Sequence, residues 1–275
     1  MSTSKKLEAK LNTYGSWALV TGASSGIGKA LAEKVAESGL NLVLVGRKNA
    51  SSKNTVEAVA AFLEANYGVR TKIIYADLSG SKDVEHLLHE VERLDIGLFI
   101  ASAGFGTSGE LIKSSLSDEL NMLDVNCKAL LILTHHFAKS FAARGKGGII
   151  LLSSMVAFQG VPYAGHYAAT KAYVQSLGEA LAHELRPLNV DVLAAAPGPV
   201  STGFESRANM KMGKTLKPEE ISTEILMALG KKDTILPGWL TKVLVTGLRT
   251  VPRWGKVIIM KMVMGGMTKH QRVGN

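Results

Sequence analysis

"WALVTGASSGIGKALAEKVAES", Trp17 to Ser38, is the stretch that decides the fold. An apolar run over 17–22 reads as a strand and ends in a glycine-rich turn. Helical spacing follows at Ile27, Leu31 and Val35, and Gly39 stops the helix. Gly22, Gly26 and Gly28 permit a tight turn and let backbone N–H groups approach a pyrophosphate at the positive end of that helix. The spacing is G-x-x-x-G-x-G rather than the commoner G-x-G-x-x-G. A magnesium-nucleotide loop does not fit. Five residues, not four, separate Gly22 from Gly28-Lys29, and Ala30 stands where Ser or Thr would hold the metal. A glycine turn set between a first strand and a first helix points to dinucleotide binding.

The same alternation continues along the chain. Strands are expected at 41–46, 71–77, 97–102, 147–154 and 189–198, with helices at 55–65, 83–93, roughly 118–143, and from the 165 region to about 186. Near-continuous apolar strands separated by helices imply a parallel sheet covered on both faces. The expected fold class is α/β, a Rossmann-like doubly wound parallel sheet in a single domain with a C-terminal helical extension. Residues 1–15 read as an N-terminal arm, 16–233 as the α/β domain and 234–275 as the extension. Ligands of open sheets bind beyond the carboxyl ends of the strands. The glycine turn, Asp77, Ser102, Ser154 and "PGPVST" (197–202) all fall at such ends.

Composition narrows the function classes. Hydrophobic residues make up 46% of the 275 and charged residues 20%, a globular balance. Cys127 has no second cysteine to pair with, which suits a reducing, cytoplasmic setting. "MSTSKKLEAKLNTYG" has no apolar core of a secretory signal. Residues 231–275 hold nine Lys or Arg against one acid, Asp233, so they carry +8 of the chain's +9. The remaining body is almost neutral and does not read as a nucleic-acid binder. No Cys/His spacing suggests a metal site.

The end of the second strand bears on which dinucleotide binds. An acid there would accept the adenosine ribose 2′-hydroxyl and repel a 2′-phosphate. Here Gly46 takes that position and Arg47 and Lys48 follow. Arginine offers a planar fork of donors that suits phosphate, so NADP(H) is expected over NAD(H).

"GHYAATKAYVQSL" (165–177) places Tyr167 and Lys171 four residues apart, on one face of a helix. With "TGASSGIG" (21–28), Asp77-Leu78, "ASAG" (101–104), Asn126, Ser153-Ser154 and "PGPVST", this order and spacing resembles the short-chain dehydrogenase/reductase family over roughly residues 16–205. The resemblance implies a catalytic set of Asn126, Ser154, Tyr167 and Lys171. Ser154 is preferred to Ser153 because it lies thirteen residues before Tyr167, the family's usual separation. Carbonyl reduction needs a proton donor at the developing alkoxide, and a cation beside Tyr167 would favour its phenolate. Ser154 would hold the substrate oxygen. By resemblance, Lys171 reaches the nicotinamide ribose and Asn126 positions a water. The same mapping assigns Gly22, Ser24, Ser25, Gly26, Ile27 and Gly28 to the phosphate turn, Arg47 to the 2′-phosphate, and Asp77 and Leu78 to the adenine. Ser102, Ala103, Gly104, Pro197, Gly198, Val200 and Thr202 fall along the rest of the cofactor. The family's Asn-Ala-Gly is replaced here by Ser102-Ala103-Gly104, which puts the asparagine's bracing of the sheet in doubt.

Phe105, Met155, Gln159 and Tyr163, with Phe158 and His166 nearby, are the candidate substrate side, and 201–216 the candidate lid. Their apolar and thioether character suggests a hydrophobic or lipid-like substrate. The sequence thus predicts an NADP-dependent oxidoreductase interconverting a carbonyl and an alcohol. The resemblance implies a homodimer or homotetramer, paired through the helices near 118–143 and 166–186. Two rivals are a non-catalytic dinucleotide-binding regulator, expected to lose Tyr or Lys, and a peripheral membrane scaffold. The basic extension has no apolar run long enough to span a bilayer. It fits either peripheral contact with anionic membrane or packing on the domain, as a dimer arm or a roof over the pocket.

Overall fold

The computed structural model of the chain describes residues 3–48 and 55–271. Residues 1–2 of the expected arm and 272–275 of the expected extension lie outside the described residues. Seven parallel strands form one sheet: β1 (Trp17–Thr21), β2 (Asn41–Gly46), β3 (Thr71–Tyr75), β4 (Ile96–Ala101), β5 (Gly147–Leu152), β6 (Val190–Ala195) and β7 (Thr234–Ile235). Their order is β3-β2-β1-β4-β5-β6-β7. The order reverses between β1 and β4, which opens a crevice beyond their carboxyl ends. Thr21 pairs with Ala101 across that boundary, so the glycine turn and Ser102 emerge side by side.

Helices α2 (Gly26–Glu37), α3 (Val56–Tyr67) and α9 (Pro218–Ala228) share one core with the sheet, and α4 (Ser81–Val91), α6 (Leu130–Arg144) and α7 (Gly165–Leu185) share the other. The central strands are apolar on both sides because both faces are covered. In β1, Leu19 belongs to one cluster while Ala18 and Val20 belong to the other. Leu19 and Phe99 are fully buried, and each such side chain contributes roughly 1.5–3 kcal/mol.

Three features depart from the sequence expectation. The helix expected over 118–143 runs as α5 (Leu116–Leu123) and α6, joined by a π-helical turn at Asp124–Ala129. Hydrophobic spacing does not register one widened turn. Such turns recur at functional sites, and this one contains Asn126. Residues 3–15 do not extend as an arm. They form α1 (Thr3–Leu11) and a turn that bury Leu7, Leu11 and Tyr14 beneath the sheet. The Tyr14 hydroxyl donates to Asp191 Oδ2 at 2.6 Å. Finally, β7 lies past residue 233 and closes the sheet's edge before α10 (Trp239–Leu248) and α11 (Arg253–Met267) begin.

Gly28 shows why the turn needs glycine. A Cβ there would lie 2.3 Å from Gly22 O, a backbone atom that cannot swing aside. Gly28→Ala is therefore expected to destabilise the fold by about 1–3 kcal/mol, read as a lower midpoint in chemical denaturation. An unchanged midpoint would contradict this account.

Candidate active site

The crevice is floored by the glycine turn. Gly22 and Gly26 have φ of +68° and +57°, the left-handed region that glycine adopts without strain. A Cβ on Gly22 would meet Ala103 at 2.9 Å, and one on Gly26 would meet the Thr202 methyl at 2.9 Å. Residues from the first, fourth and sixth strand ends therefore touch. Ser25 precedes α2 in an extended conformation and makes no side-chain cap, so its side chain satisfies none of the first-turn N–H groups. Ser102 replaces an asparagine, but β4 is still braced: the Thr21 hydroxyl accepts from Ser102 N and Ala103 N, both at 3.1 Å.

At the end of β2, Arg47 is exposed and makes no hydrogen bond or ion pair with the described residues. Beyond β3, the Asp77 carboxylate accepts from Ser79 N at 3.0 Å and from its hydroxyl at 2.8 Å. The Ser79 backbone bond, with further help from the charges of Arg47 and Arg207, holds Asp77 below the usual carboxylate range. Leu78 is buried beside it. A glycine cradle, an uncapped helix start and an exposed arginine with no hydrogen bond or ion pair among the described residues fit the pyrophosphate and 2′-phosphate of NADP(H).

Four candidate catalytic residues converge deeper in the crevice. Asn126 is buried, and its side chain clamps the chain after β4. Oδ1 accepts from Phe105 N at 3.1 Å, while Nδ2 donates to Phe105 O at 2.8 Å and to Thr170 Oγ1 at 3.1 Å. A Cβ on Gly104 would lie 2.9 Å from that Oδ1 and 3.4 Å from Lys171 Nζ, so Gly104 leaves room for both. Lys171 Nζ donates to Leu152 O at 2.8 Å and lies 6.0 Å from the centre of the Tyr167 ring. The two serines divide their work. Ser153 Oγ donates to Lys171 O at 3.0 Å, a structural bond. Ser154 caps the turn Met155–Phe158 and lies close enough to the Tyr167 phenol to pull its pKa down.

Burial outweighs that pull. The Tyr167 phenol is pushed up to about 12, because removal from water penalises the phenolate more than Ser154 stabilises it. Burial likewise holds the Lys171 ammonium down to about 8. The lowered tyrosine expected from the cation beside it is therefore not what this site displays. Tyr167 holds its proton at neutral pH.

The substrate-side residues separate into two groups. Phe105 packs with Met122 and Tyr167, while Met155 Sδ lies 3.4 Å from where a Gly198 Cβ would be. Gln159 is buried, and its amide donates to Met155 O at 3.3 Å. Tyr163, at φ +67°, instead lines a separate small cavity with Ser108, Gly109 and Gln271. The 201–216 segment begins with a parallel bridge from Val200 to Leu216 and contains α8 (Phe204–Arg207). Phe204 stacks at 5.1 Å on Tyr167.

Several site residues escaped the sequence reading. Thr241 in α10 accepts from Gly198 N at 2.9 Å and so fixes the Pro197-Gly198 turn. Arg207 covers the Phe105 ring at 3.8 Å. Glu119, almost fully buried, meets His166 Nδ1 at 2.6 Å and accepts from Thr107 Oγ1 at 3.1 Å. Nothing local marks these residues. Only folding brings α5, α8 and α10 to the crevice.

A doubly wound α/β sheet with a glycine cradle at its switch point, and a buried Tyr–Lys pair with Ser154 beside it, defines a dinucleotide-fold oxidoreductase. The short chain dehydrogenase family model matches residues 16–213, and the chain belongs to that family. It is 33% identical over 234 residues to a 7beta-hydroxysteroid dehydrogenase of Collinsella aerofaciens, covering 82% of this chain and 87% of that one. The solved structure of a 7beta-hydroxysteroid dehydrogenase superposes with a TM-score of 0.82 at 30% identity, over 90% of this chain and 98% of the other. A short-chain dehydrogenase from Sphingobium yanoikuyae, solved with NADPH, gives 0.74 at 28% identity over 90% and 93%.

Proposed function

We propose that the protein reduces a bulky hydrophobic ketone, of hydroxysteroid type, to its alcohol with NADPH. The carrying observation is the arrangement of Ser154 and Lys171 around the buried Tyr167. NADPH, when bound, supplies the hydride. Tyr167 donates the proton that the developing alkoxide needs, and Ser154 holds the carbonyl oxygen against it. Lys171, fixed by the Leu152 carbonyl, offsets the negative charge left on the phenol. Asn126 positions the Phe105 main chain, which forms one wall of the pocket. Phe105, Met122 and Phe204 keep water from the phenol. Their apolar character and the likeness to 7beta-hydroxysteroid dehydrogenases support a rigid, lipid-like ketone.

Exposed Leu116, Leu120, Leu123, Leu131 and Tyr173 on α5, α6 and α7 support pairing of two copies through these helices. Exposed Trp239 and Trp254 among the cations of the extension support peripheral contact with membrane. The lone reduced Cys127 supports a cytoplasmic setting.

NADPH consumption across ketones of graded size, from acetone-like to steroidal, tests the reading. Rates rising with bulk support it, and no turnover of any carbonyl would leave the non-catalytic regulator in its place. The pH profile is a second check. Tyr167 keeps its proton across neutral pH, whereas Lys171 loses its charge as pH rises through about 8. Reduction should therefore hold level below that range and decline above it. An alkaline limb first appearing near 12, where Tyr167 itself ionises, would mean that the Lys171 charge is not needed.

A further inference from the structure

Helix α11 has two apolar faces, and only one of them is covered. Met260 and Met264 point inward and pack with Val161, Ala164, Ala168, Ala208 and Met210. On the opposite side, Trp254, Ile258 and Met262 recur every fourth residue and form one stripe. They are 70%, 50% and 66% exposed. Single exposed apolar residues are ordinary, but a contiguous row on one helix marks a contact surface. Lys261 stands exposed beside the row, and Arg253 is exposed at the start of the helix. In the whole sequence after Asp233 there are seven Lys or Arg and no acid.

That charge pattern selects the partner. A second copy meeting this face by two-fold symmetry would set the same cations against each other, with no carboxylate from the extension to pair them. An anionic lipid surface supplies both an apolar layer and the opposite charge. A helix of fifteen residues is too short to cross, and no described helix is long and apolar enough to do so. Tryptophan is favoured at the bilayer–water boundary, where such a helix would lie.

We propose that α11 seats on an anionic bilayer through the Trp254–Ile258–Met262 stripe, and that the active site draws its hydrophobic ketone from that side. The first half narrows the membrane contact proposed above to one helix face, and the second rests on the proposed activity. The helix is fastened to the segment over the site. Lys211 N donates to Met267 O at 3.0 Å, and Gln271, just past α11, donates to Asn209 O at 2.6 Å and Ser108 Oγ at 2.9 Å. Ala208 and Met210 lie under the inner methionines, and Phe204 of the same segment rests on Tyr167.

The test is co-sedimentation of the full chain with phosphatidylcholine vesicles, with and without phosphatidylglycerol. Binding is expected only with the anionic lipid and should fade with salt. The double variant Trp254→Glu with Met262→Glu should partition at least roughly tenfold more weakly, and Lys261→Gln about fivefold more weakly. Both alter exposed positions, so thermal midpoints should stay unchanged. The double variant should reduce a small water-soluble ketone at the wild-type rate and a steroidal ketone dissolved in the vesicles more slowly. Equal binding to both vesicle types, or wild-type partitioning by the double variant, would overturn the proposal. So would a dimer that the double variant dissolves. Vesicle binding with no ketone reduced would leave the docking surface standing and remove the activity.

Discussion

Tyr167→Phe is expected to lower kcat for ketone reduction about 10³-fold, the scale of a lost general acid, while NADPH affinity changes little. The hydroxyl is the only atom removed. The ring keeps its place among Phe105, Met122 and Phe204, so the fold should be intact. Lys171 Nζ is directed to the Leu152 carbonyl rather than to the place the phenol leaves. NADPH titration by intrinsic fluorescence checks binding, and single-turnover absorbance checks chemistry. Near-normal turnover would refute the assigned proton donor. Lost NADPH binding would instead point to a collapsed site.

Arg47→Asp should move the ratio of kcat/KM for NADPH to that for NADH towards NADH by about 100-fold. It removes a charge-assisted hydrogen bond to the 2′-phosphate and introduces a repelling carboxylate. Arg47 is exposed and makes no hydrogen bond or ion pair with the described residues, so its replacement breaks none of these among them. Gly46, ahead of it, supplies no acid to hold a free ribose hydroxyl. A second cation lies near. Burial first, and then the charge of Arg47, lowers the pKa of Arg207 in α8. If the ratio does not move when Arg47 is changed, discrimination belongs to Arg207 or Lys48.

Much of this was legible in the chain. The 17–38 stretch predicts a strand, a glycine turn and a helix, and the structure has β1, the turn and α2 within a residue or so of those bounds. Strong periodicity and unambiguous turn chemistry make that possible, because both act within a few residues. The Tyr167–Lys171 pair is legible for the same reason: one helix sets its spacing. Other features depend on distant parts. The π-turn that points Asn126 at Phe105 leaves no trace in hydrophobic spacing. The thirteen-residue spacing selects Ser154, but the bond from Ser153 Oγ to Lys171 O, which gives the other serine its place, forms only in the fold. The raised pKa of Tyr167 is not legible in the sequence, where a neighbouring lysine can be read and burial cannot.

The extension shows the division most clearly. Its charge and apolar content are sequence properties, and they fit membrane contact or packing on the domain, as a dimer arm or a roof, alike. The structure gives α11 an inner methionine face over the 201–216 segment and an exposed outer row of Trp254, Ile258 and Met262. The sequence by itself determined the order of elements, the glycine cradle, the absence of an acid after β2 and the tyrosine–lysine spacing, all of them local matters of backbone sterics and periodicity. Only the tertiary structure decided which groups share the crevice, how far burial shifts their proton affinities and which face of the last helix stays exposed. Those depend on surfaces that meet only once the sheet has closed and water has left.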